Sequence, residues 1–411
     1  MIKNILTTSA LALLLPLCSS AGGFKIGLQG QKQLAMGHTG VGLAQDAATI
    51  YFNPAGLSFV PGQVNLGGFG LIPTTGFLHT PTNTLVHANK QVFTPFSLYA
   101  GKEVYKGLSL GLGVYTPFGS GVSYPTDWTG RYVLTHIALQ TVFIQPTASY
   151  RINDKISVGA GFVYSVGTVE LERDLPLQSY PNNDIAHAKL HGMAGGMGFN
   201  AGVYVKPTEK FSAGLTYHSK VAMKVKKGEA EFTNVPTALQ SSFPPTNTFT
   251  AELPLPSELA LGAGYRITER LTAALDVNYT FWQSFDSLGF DYGVNSASLT
   301  DTKSPRLYQN ALALRAGLRY KANSSLMLMA GAFYDQTPVQ DGYVAPELPD
   351  NNKIGLTAGA SWQAGKRLGI DLSLLYEHVG PRTQTNIETG LEGTFRTHVF
   401  APGLGINYRF N

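Results

Sequence analysis

A seven-residue theme recurs along this chain of 411 residues and marks the ends of predicted β-strands. An alternating segment ends in an aromatic residue, a short polar turn follows, and a second alternating segment begins. The theme occurs at residues 149–155, 264–270 and 319–325, and its first half closes the chain at 407–411. A tight hairpin with an aromatic residue at its rim is the repeating unit of transmembrane β-barrels. The theme therefore predicts an all-β chain of antiparallel hairpins in a membrane.

The composition agrees with a membrane barrel. Charged residues make up 14% of the chain, whereas a typical soluble domain has about 25%. The mean hydropathy is zero, and past the N-terminus no apolar run approaches the ~20 residues that a membrane helix needs. The formal net charge of +4 is small, so it gives no support to a nucleic-acid partner.

Residues 1–21 have the pattern of a secretory signal peptide. Lys3 supplies the positive charge, residues 5–17 are apolar, and residues 19–21 are small enough for cleavage. The only cysteine, Cys18, would be removed with this segment. Cys18 as a lipoprotein acceptor is the alternative, which the bulky leucine before it disfavours. We expect a mature chain without disulfides, metal ligands from cysteine, or any cofactor.

Residues 22–62 differ from the rest of the chain because they are rich in glycine and alanine and lack sustained alternation. Residues 31–48 could form one or two short helices. Asn53, Pro54 and Ala55 are typical of a fixed turn, since proline restricts φ and asparagine tolerates tight bends. The segment is too small for an independent domain, so we predict a hatch that plugs a barrel formed by residues 63–411.

Fourteen alternating segments predict a 14-stranded antiparallel barrel. In the twelfth, Ile354, Leu356 and Trp362 share one face while glycine, threonine and serine fill the other, as expected for lipid outside and lumen inside. A secreted β-sandwich is the alternative, but its outward faces should be charged. The predicted strands are residues 63–72, 90–101, 107–116, 138–151, 156–170, 194–206, 210–224, 250–266, 271–283, 306–321, 325–335, 352–364, 368–379 and 396–410.

Six short turns and seven long loops alternate between these strands. Short periplasmic turns and long extracellular loops are the expected asymmetry of outer-membrane barrels. The first connection is long and the strand count is even, so both termini are predicted to lie in the periplasm. The predicted long loops are residues 73–89, 117–137, 171–193, 225–249, 284–305, 336–351 and 380–395.

Several predicted inward positions are bulky and apolar, which a water-filled channel would not need. These side chains must be covered either by the hatch or by a hydrophobic ligand, and methionine suits ligands of varied shape. Packing against the hatch is the simpler explanation for any one of them. The candidate ligand-binding residues of this kind are Phe93, Tyr99, Tyr115, Phe143, Met327, Met329 and Phe333.

Arg315 and Arg319 are also predicted to point into the lumen. A guanidinium group can bind a ligand carboxylate through two parallel hydrogen bonds. The alternative is a lumenal ion pair with a carboxylate of another strand, for which the candidates are Asp276, Asp371 and Glu377.

The third predicted strand contains Gly111 and Gly113 and ends near Pro117. Glycine weakens a strand and proline removes a ladder donor, so a defect in the barrel wall is expected here. Such a lateral gap would let a ligand leave sideways. The alternative is that the glycines only make room for the hatch.

Six segments of the mature chain match a known family in their order and spacing. They are residues 22–24, 40–48, 53–57, 115–119, 128–132 and 254–257. By these segments the chain resembles the FadL-type family of outer-membrane transporters for long-chain fatty acids and other hydrophobic compounds. The resemblance implies a ligand path from the lipopolysaccharide layer to a lumenal pocket near Phe24, followed by passive exit at the third strand of a monomer. The loops after the fifth and seventh strands do not align with the family's outer groove.

The sequence therefore predicts passive import of a hydrophobic molecule, with long-chain fatty acids ahead of aromatic hydrocarbons. A nonspecific porin or a barrel lipase is the alternative of another class. The nine histidines are scattered, without the spacing of a metal site.

Overall fold

The computed structural model describes residues 23–178 and 185–410, so the predicted signal peptide and Cys18 lie outside the described residues. Two α-helices, α1 (Gln31–Ala35) and α2 (Thr49–Phe52), and three 3₁₀ helices (Pro54–Phe59, Thr237–Leu239 and Trp282–Ser284) accompany the strands. None of the helices in these ranges has the length and apolar character needed to cross a membrane.

Twenty-one strands in the described residues form one antiparallel sheet. In chain order they are β1 (Gln63–Phe69), β2 (Ile72–His79), β3 (Thr84–His87), β4 (Phe96–Tyr105), β5 (Leu108–Tyr115), β6 (Gly119–Ser123), β7 (His136–Asn153), β8 (Ile156–Gln178), β9 (Ile185–Val205), β10 (Phe211–His218), β11 (Val221–Thr233), β12 (Thr246–Leu255), β13 (Glu258–Arg266), β14 (Leu271–Thr280), β15 (Ser287–Tyr292), β16 (Thr302–Pro305), β17 (Ala311–Lys321), β18 (Leu326–Asp335), β19 (Lys353–Gln363), β20 (Leu368–Thr385) and β21 (Glu392–Arg409).

Fourteen of these strands close into a ring, which confirms the predicted 14-stranded barrel. The first strand, β1, pairs with β21 on one side and with β4 on the other, so the sheet has no free edge there. Closure leaves the ring without the free edge strands that a membrane does not tolerate. The ring order is β1, β4, β5, β7, β8, β9, β10, β13, β14, β17, β18, β19, β20 and β21.

The other seven strands extend the barrel wall beyond the ring at the long-loop end. Thus β2 pairs with the upper part of β21, β6 with β7, and β11 with β9. The predicted loops 73–89, 117–137, 171–193, 225–249, 284–305 and 380–395 were therefore wrong in part, because each contains strand. The predicted eighth strand, 250–266, is two strands, since the chain changes partners at Pro256, which has no N–H for a ladder.

The ring strands present apolar residues outward, and most of their inward residues are small or polar. On β19, Ile354 and Leu356 share the outer face and are 53% and 58% exposed, while Thr357 on the opposite face is buried. The aromatic residues of the recurrent turn all lie on the outer surface at the short-turn end. These residues are Tyr150, Tyr265, Tyr320 and Tyr408. The theme that predicted the hairpins therefore builds one aromatic rim.

Residues 23–62, which we call the hatch, are hydrogen-bonded to opposite walls of the ring. The Gln31 amide donates to Gly68 O on the β1 side and to Leu404 O on β21, both at 3.1 Å. On the far side, Asp276 of β14 accepts from the backbone N–H groups of Gly40 and Val41 at 2.7 and 2.9 Å. Contacts in opposite directions place the hatch within the lumen.

The turn at Asn53, Pro54 and Ala55 lies against β7, β8 and β9. The Asn53 carboxamide accepts from Ala55 N at 3.1 Å and donates to Val203 O at 3.0 Å. The hydroxyl of Ser157 donates to Ala55 O at 2.7 Å. The turn is therefore fixed both internally and to the barrel wall.

Candidate functional site

A cavity of about 550 Å³ lies between the first residues of the hatch and the barrel wall. One part of its lining is apolar and comes from the hatch, β6, β18 and the chain before β4. The apolar residues include Phe24, Leu28, Phe93, Phe118 and Phe333. The other part is charged. The charged residues are Lys25, Arg315, Asp335, Glu347, Asp350, Lys353 and Glu377. The cavity therefore suits a molecule with a long apolar part and a polar end.

Arg315 of β17 is the buried cation at the boundary between the two parts. One Nη atom donates to Asp335 Oδ2 at 3.1 Å, and the guanidinium lies 5.3 Å from the centre of the Phe333 ring. The Nε–H group is buried and has no acceptor in the described part of the chain. Arg315 therefore retains an unused hydrogen-bond donor beside the apolar part of the cavity.

The ion pair of Arg315 differs from the three predicted alternatives. Asp276 accepts hydrogen bonds from the hatch, and Asp371 pairs with Lys32 at 3.5 Å. Glu377 lines the cavity but forms no ion pair among the described residues. Asp335 lies on the neighbouring strand, where Arg315 is opposite Phe333, so the strand register brings the two charges together.

Arg319 points into the lumen but does not line the cavity. It lies nearer the short-turn end and donates to Gln45 Oε1 of the hatch at 3.4 Å. Its guanidinium therefore helps to hold the hatch, and Arg315 is the better candidate for a ligand contact.

Of the ten predicted ligand-binding residues, Phe24, Phe93, Arg315 and Phe333 line the cavity, and their contact with a ligand stays a prediction. Tyr115 and Phe143 line a separate, smaller pocket of about 30 Å³ beside Lys25 and Glu258, and the other four pack against the hatch or the wall. The Tyr115 ring lies 5.2 Å from Tyr51 of the hatch, and its hydroxyl donates to Gln145. Those that do not line the cavity are Tyr99, Tyr115, Phe143, Arg319, Met327 and Met329.

The barrel wall is interrupted beside this cavity. The last contact between β4 and the chain after β5 joins Phe96 and Thr116, and the next joins Asn89 N to Ser123 O at 2.8 Å. Between these points, residues 90–95 and 117–122 form no hydrogen bond to each other. We call this interruption of the ladder the wall gap, and the Phe93 ring lies across it against Gly121. Several residues on both of its sides also line the cavity.

The hatch covers the inner side of the wall gap like a short extra strand. Ile26 N donates to Pro117 O at 2.8 Å, and Gly119 N donates to Phe24 O at 3.0 Å. Gly111 and Gly113, in contrast, lie in the fully paired part of β5. A Cβ atom at Gly111 would lie 2.7 Å from the Ile50 side chain, so this glycine makes room for the hatch. Of the three predicted gap residues, Pro117 lies at the interruption.

A second cavity of about 100 Å³ lies toward the long-loop end and is almost wholly apolar. Phe24 is one of five residues that line both cavities, together with Ser120, Leu139, Glu347 and Leu348, so these residues form the boundary between them. Sequence reasoning missed this pocket because its strands fall partly in predicted loops. Its apolar lining includes Leu139, Val169, Leu171, Met223, Val225, Leu253, Leu288 and Phe290.

Metal chemistry has no obvious location. No group of three or more histidine, cysteine or acidic side chains within residues 23–178 and 185–410 is arranged to hold a metal ion.

Known proteins resemble the chain along its whole length. A profile of the family described as "Outer membrane protein transport protein (OMPP1/FadL/TodX)" matches residues 12–411. A long-chain fatty acid transport protein of Escherichia coli O6:H1 is 23% identical over 99% of each chain.

Solved structures share the fold. A Pseudomonas aeruginosa FadL homologue superposes with a TM-score of 0.80 at 20% identity, covering 95% of this chain and 100% of that one. The Pseudomonas putida toluene transporter TodX gives 0.72 at 19% identity, covering 94% and 98%. At these identities the structural likeness concerns the fold alone.

Proposed function

The chain belongs to the OMPP1/FadL/TodX family of outer-membrane proteins that transport hydrophobic compounds, and we propose that its own ligands are long-chain fatty acids. The family and the fold are those of a transporter in the bacterial outer membrane. The choice of ligand class rests on the residues of this chain.

The unused Nε–H donor of Arg315 is the observation that carries the proposal. A buried donor without an acceptor is costly, typically about 1–3 kcal/mol, and a ligand carboxylate beside Arg315 would satisfy it. The apolar part of the cavity, from Phe24 to Phe93 and Phe333, would then cover the alkyl chain. Its volume lies within the range of about 300–1,000 Å³ that is usual for small-molecule sites.

The proposed route follows the two cavities and the wall gap. The ligand enters the apolar pocket at the long-loop end, passes Phe24, binds beside Arg315, and leaves sideways between residues 90–95 and 117–122. Movement of residues 24–26 away from Pro117 would open that exit. The flow is passive and follows the concentration gradient of the ligand.

Uptake of aromatic hydrocarbons by the same route is the second candidate. The outer pocket is apolar enough for such molecules, and TodX, named as a toluene transporter, shares the fold. An aromatic hydrocarbon has no carboxylate, however, so its binding would leave the Nε–H group of Arg315 without an acceptor.

Binding of oleate and of toluene to the purified protein distinguishes the two candidates. We expect Arg315→Gln to weaken oleate binding about tenfold and to leave toluene binding unchanged, because only oleate has a carboxylate. Arg319→Gln is the matched control, since it removes the same group from the same face of β17 outside the cavity. Native mass spectrometry of the ligand that co-purifies gives independent evidence. Equal oleate affinity in both variants would refute the proposal.

A further inference from the structure

Four basic side chains and a tyrosine form a patch on the outer surface of the barrel. His378 of β20 is directly opposite His398 of β21, and Arg396 is two residues from His398 on the same face. His87 of β3 lies over Gly76, whose partner on β21 is Arg396. Including Tyr376, we call these five residues the outer patch.

The aromatic and imidazole rings of the outer patch are stacked and joined. The Nδ1 atoms of His378 and His398 are 3.3 Å apart, and Tyr376 Oη lies 3.0 Å from Nδ1 of His398. The rings of Tyr376 and His398 are stacked with centroids 6.1 Å apart. The Nδ1 atoms face each other, so the Nε2 atoms remain as the outer hydrogen-bonding groups.

No carboxylate neutralises the outer patch. Within the described residues, His87, His378, Arg396 and His398 take part in no ion pair with aspartate or glutamate. The barrel elsewhere pairs its outer charges readily, as Lys189 does with Glu170 and Glu172 at 2.8 and 3.0 Å. An Arg that is exposed and unpaired among histidines is arranged to accept an anion.

The height of the outer patch on the barrel shows which layer of the membrane it faces. His378 lies ten residues beyond Leu368, where β20 begins at the short-turn end. This distance is about 33 Å along a strand, or about 25 Å of height for a tilt of ~40°, which equals the apolar band of a barrel. Just below lies a row of Leu356, Tyr376 and Phe400, exposed by 58%, 45% and 44%.

The outer patch therefore lies at the level of the lipid headgroups at the long-loop end, which faces the outer leaflet. We propose that it binds the phosphate of lipid A, the phosphorylated glycolipid of that leaflet. Arg396 would donate to the phosphate, and His398, whose Nδ1 accepts from Tyr376 and His378, would add its Nε2–H as a second donor. The acyl chains would lie along the aromatic and aliphatic row below.

Native mass spectrometry of the full-length protein, stripped of lipid and titrated with diphosphoryl lipid A, tests the site. We expect one retained lipid A per wild-type barrel and about tenfold less retention in the double variant Arg396→Gln, His398→Gln. The control variant Lys106→Gln, Lys155→Gln removes two exposed cations at the short-turn end and should retain lipid A fully. Heat-dependent gel mobility shows that each barrel is folded.

Titration with other lipids and with inorganic phosphate tests whether the site recognises lipid A or any phosphate group. Dephosphorylated lipid A and phosphatidylglycerol should be retained poorly, and inorganic phosphate should not displace lipid A. Equal retention of lipid A by the double variant and the wild type, or equal retention of dephosphorylated lipid A, would overturn the proposal. Oleate binding should be the same in both variants, so this result is independent of the proposed transport ligand.

Discussion

Arg315 and Asp335 form an ion pair that a fatty acid would have to share. The carboxylate of Asp335 occupies one Nη atom of the guanidinium at 3.1 Å, and Asp335 also lines the cavity. An incoming carboxylate is repelled by that charge while it is attracted by Arg315. The pair thus sets how tightly an anionic ligand can bind and how easily it leaves, which suits a transporter better than a storage site.

Removal of the competing carboxylate should tighten binding. We expect Asp335→Asn to increase the affinity for oleate by about tenfold, which corresponds to ~1.4 kcal/mol. Titration of the purified barrel with a fluorescent fatty acid measures the change. The control is Asp341→Asn, because Asp341 pairs with Arg382 but lies outside the cavity and is almost fully exposed. Unchanged affinity in Asp335→Asn would show that Asp335 does not compete.

His38 makes the docking of the hatch depend on pH. Burial lowers the pKa of His38 well below 6.5, and the charges of Arg315 and Lys25 lower it further. In an opened hatch the ring would titrate near ~6.5, so the opened state binds a proton that the docked state excludes. Docking is therefore fully stable above that pH and weakens as the pH falls below it.

Hydrogen exchange of the hatch amides at pH 7.5 and 5.5 measures this effect. After correction for intrinsic exchange rates, we expect more frequent opening at the lower pH, by up to about 1.4 kcal/mol per pH unit. His38→Asn should reduce the difference, since asparagine tolerates the positive φ of 64° and does not titrate in this range. The same pH dependence in His38→Asn would assign it to another group.

At the scale of elements, the wall gap is the proposed exit, so a change there should affect release of the ligand and not its binding. The gap lies where β5 ends and β6 begins. One edge of β6 pairs with β7, whereas the other edge bonds Phe24 of the hatch at Gly119 and Asn89 at Ser123. Thr94 is exposed, lines the cavity, and belongs to the unpaired side of the gap. A side chain that fills the opening there should block exit without touching Arg315.

We therefore expect Thr94→Trp to reduce fatty acid uptake by cells several-fold and to weaken oleate binding by the purified protein less than Arg315→Gln does, because Thr94 lines the cavity on the side of the gap. Uptake is measured with labelled oleate in cells that lack another such transporter. Thr84→Trp, at an exposed position of β3 outside the cavity, is the control. Wild-type uptake by a correctly inserted Thr94→Trp barrel would argue for a different exit.

The ring strands were predictable from sequence because each has one face in lipid and one in the lumen. Alternation such as that on β19 and β21, together with the aromatic turns, predicted fourteen strands and a closed barrel. Alternation does not report where the membrane ends, so the upper parts of β8 and β9 were read as a loop at 171–193. The breaks within the predicted seventh and eighth strands depend on partner changes that one strand's pattern does not contain.

The site was less predictable than the fold because it depends on register and on the hatch. Both arginines were correctly placed inward, but the pairing of Arg315 with Asp335 requires knowing which residues oppose each other on β17 and β18. Likewise, Tyr115 and Met329 are covered by hatch residues Tyr51 and Met36, whose positions no local pattern fixes. Only the folded hatch shows which apolar side chains remain for a ligand.

At the scale of the whole molecule, the hatch and the ring are interlocked through glycines. Gly37, with a φ of 68°, lies so close to β17 and β18 that a Cβ atom would be 2.3 Å from Ala316 O. Its N–H donates to Thr357 Oγ1 at 2.8 Å. The ladder hydrogen bonds that close the ring join ring strands to each other and do not depend on the hatch, which fills the lumen. We therefore expect the ring to fold even when the hatch is deleted.

Deletion of residues 24–60 should leave a folded barrel with an open, leaky pore. The polar inward residues that now bind the hatch, such as Asp276, Gln145 and Asn200, would face water instead. A polar, water-filled lumen conducts ions. We expect a large, steady conductance in planar bilayers, compared with little for the intact protein, and greater entry of polar antibiotics into cells. Heat-dependent gel mobility confirms that the shortened barrel is folded. Conductance equal to that of the intact protein would mean that the loops, and not the hatch, close the lumen.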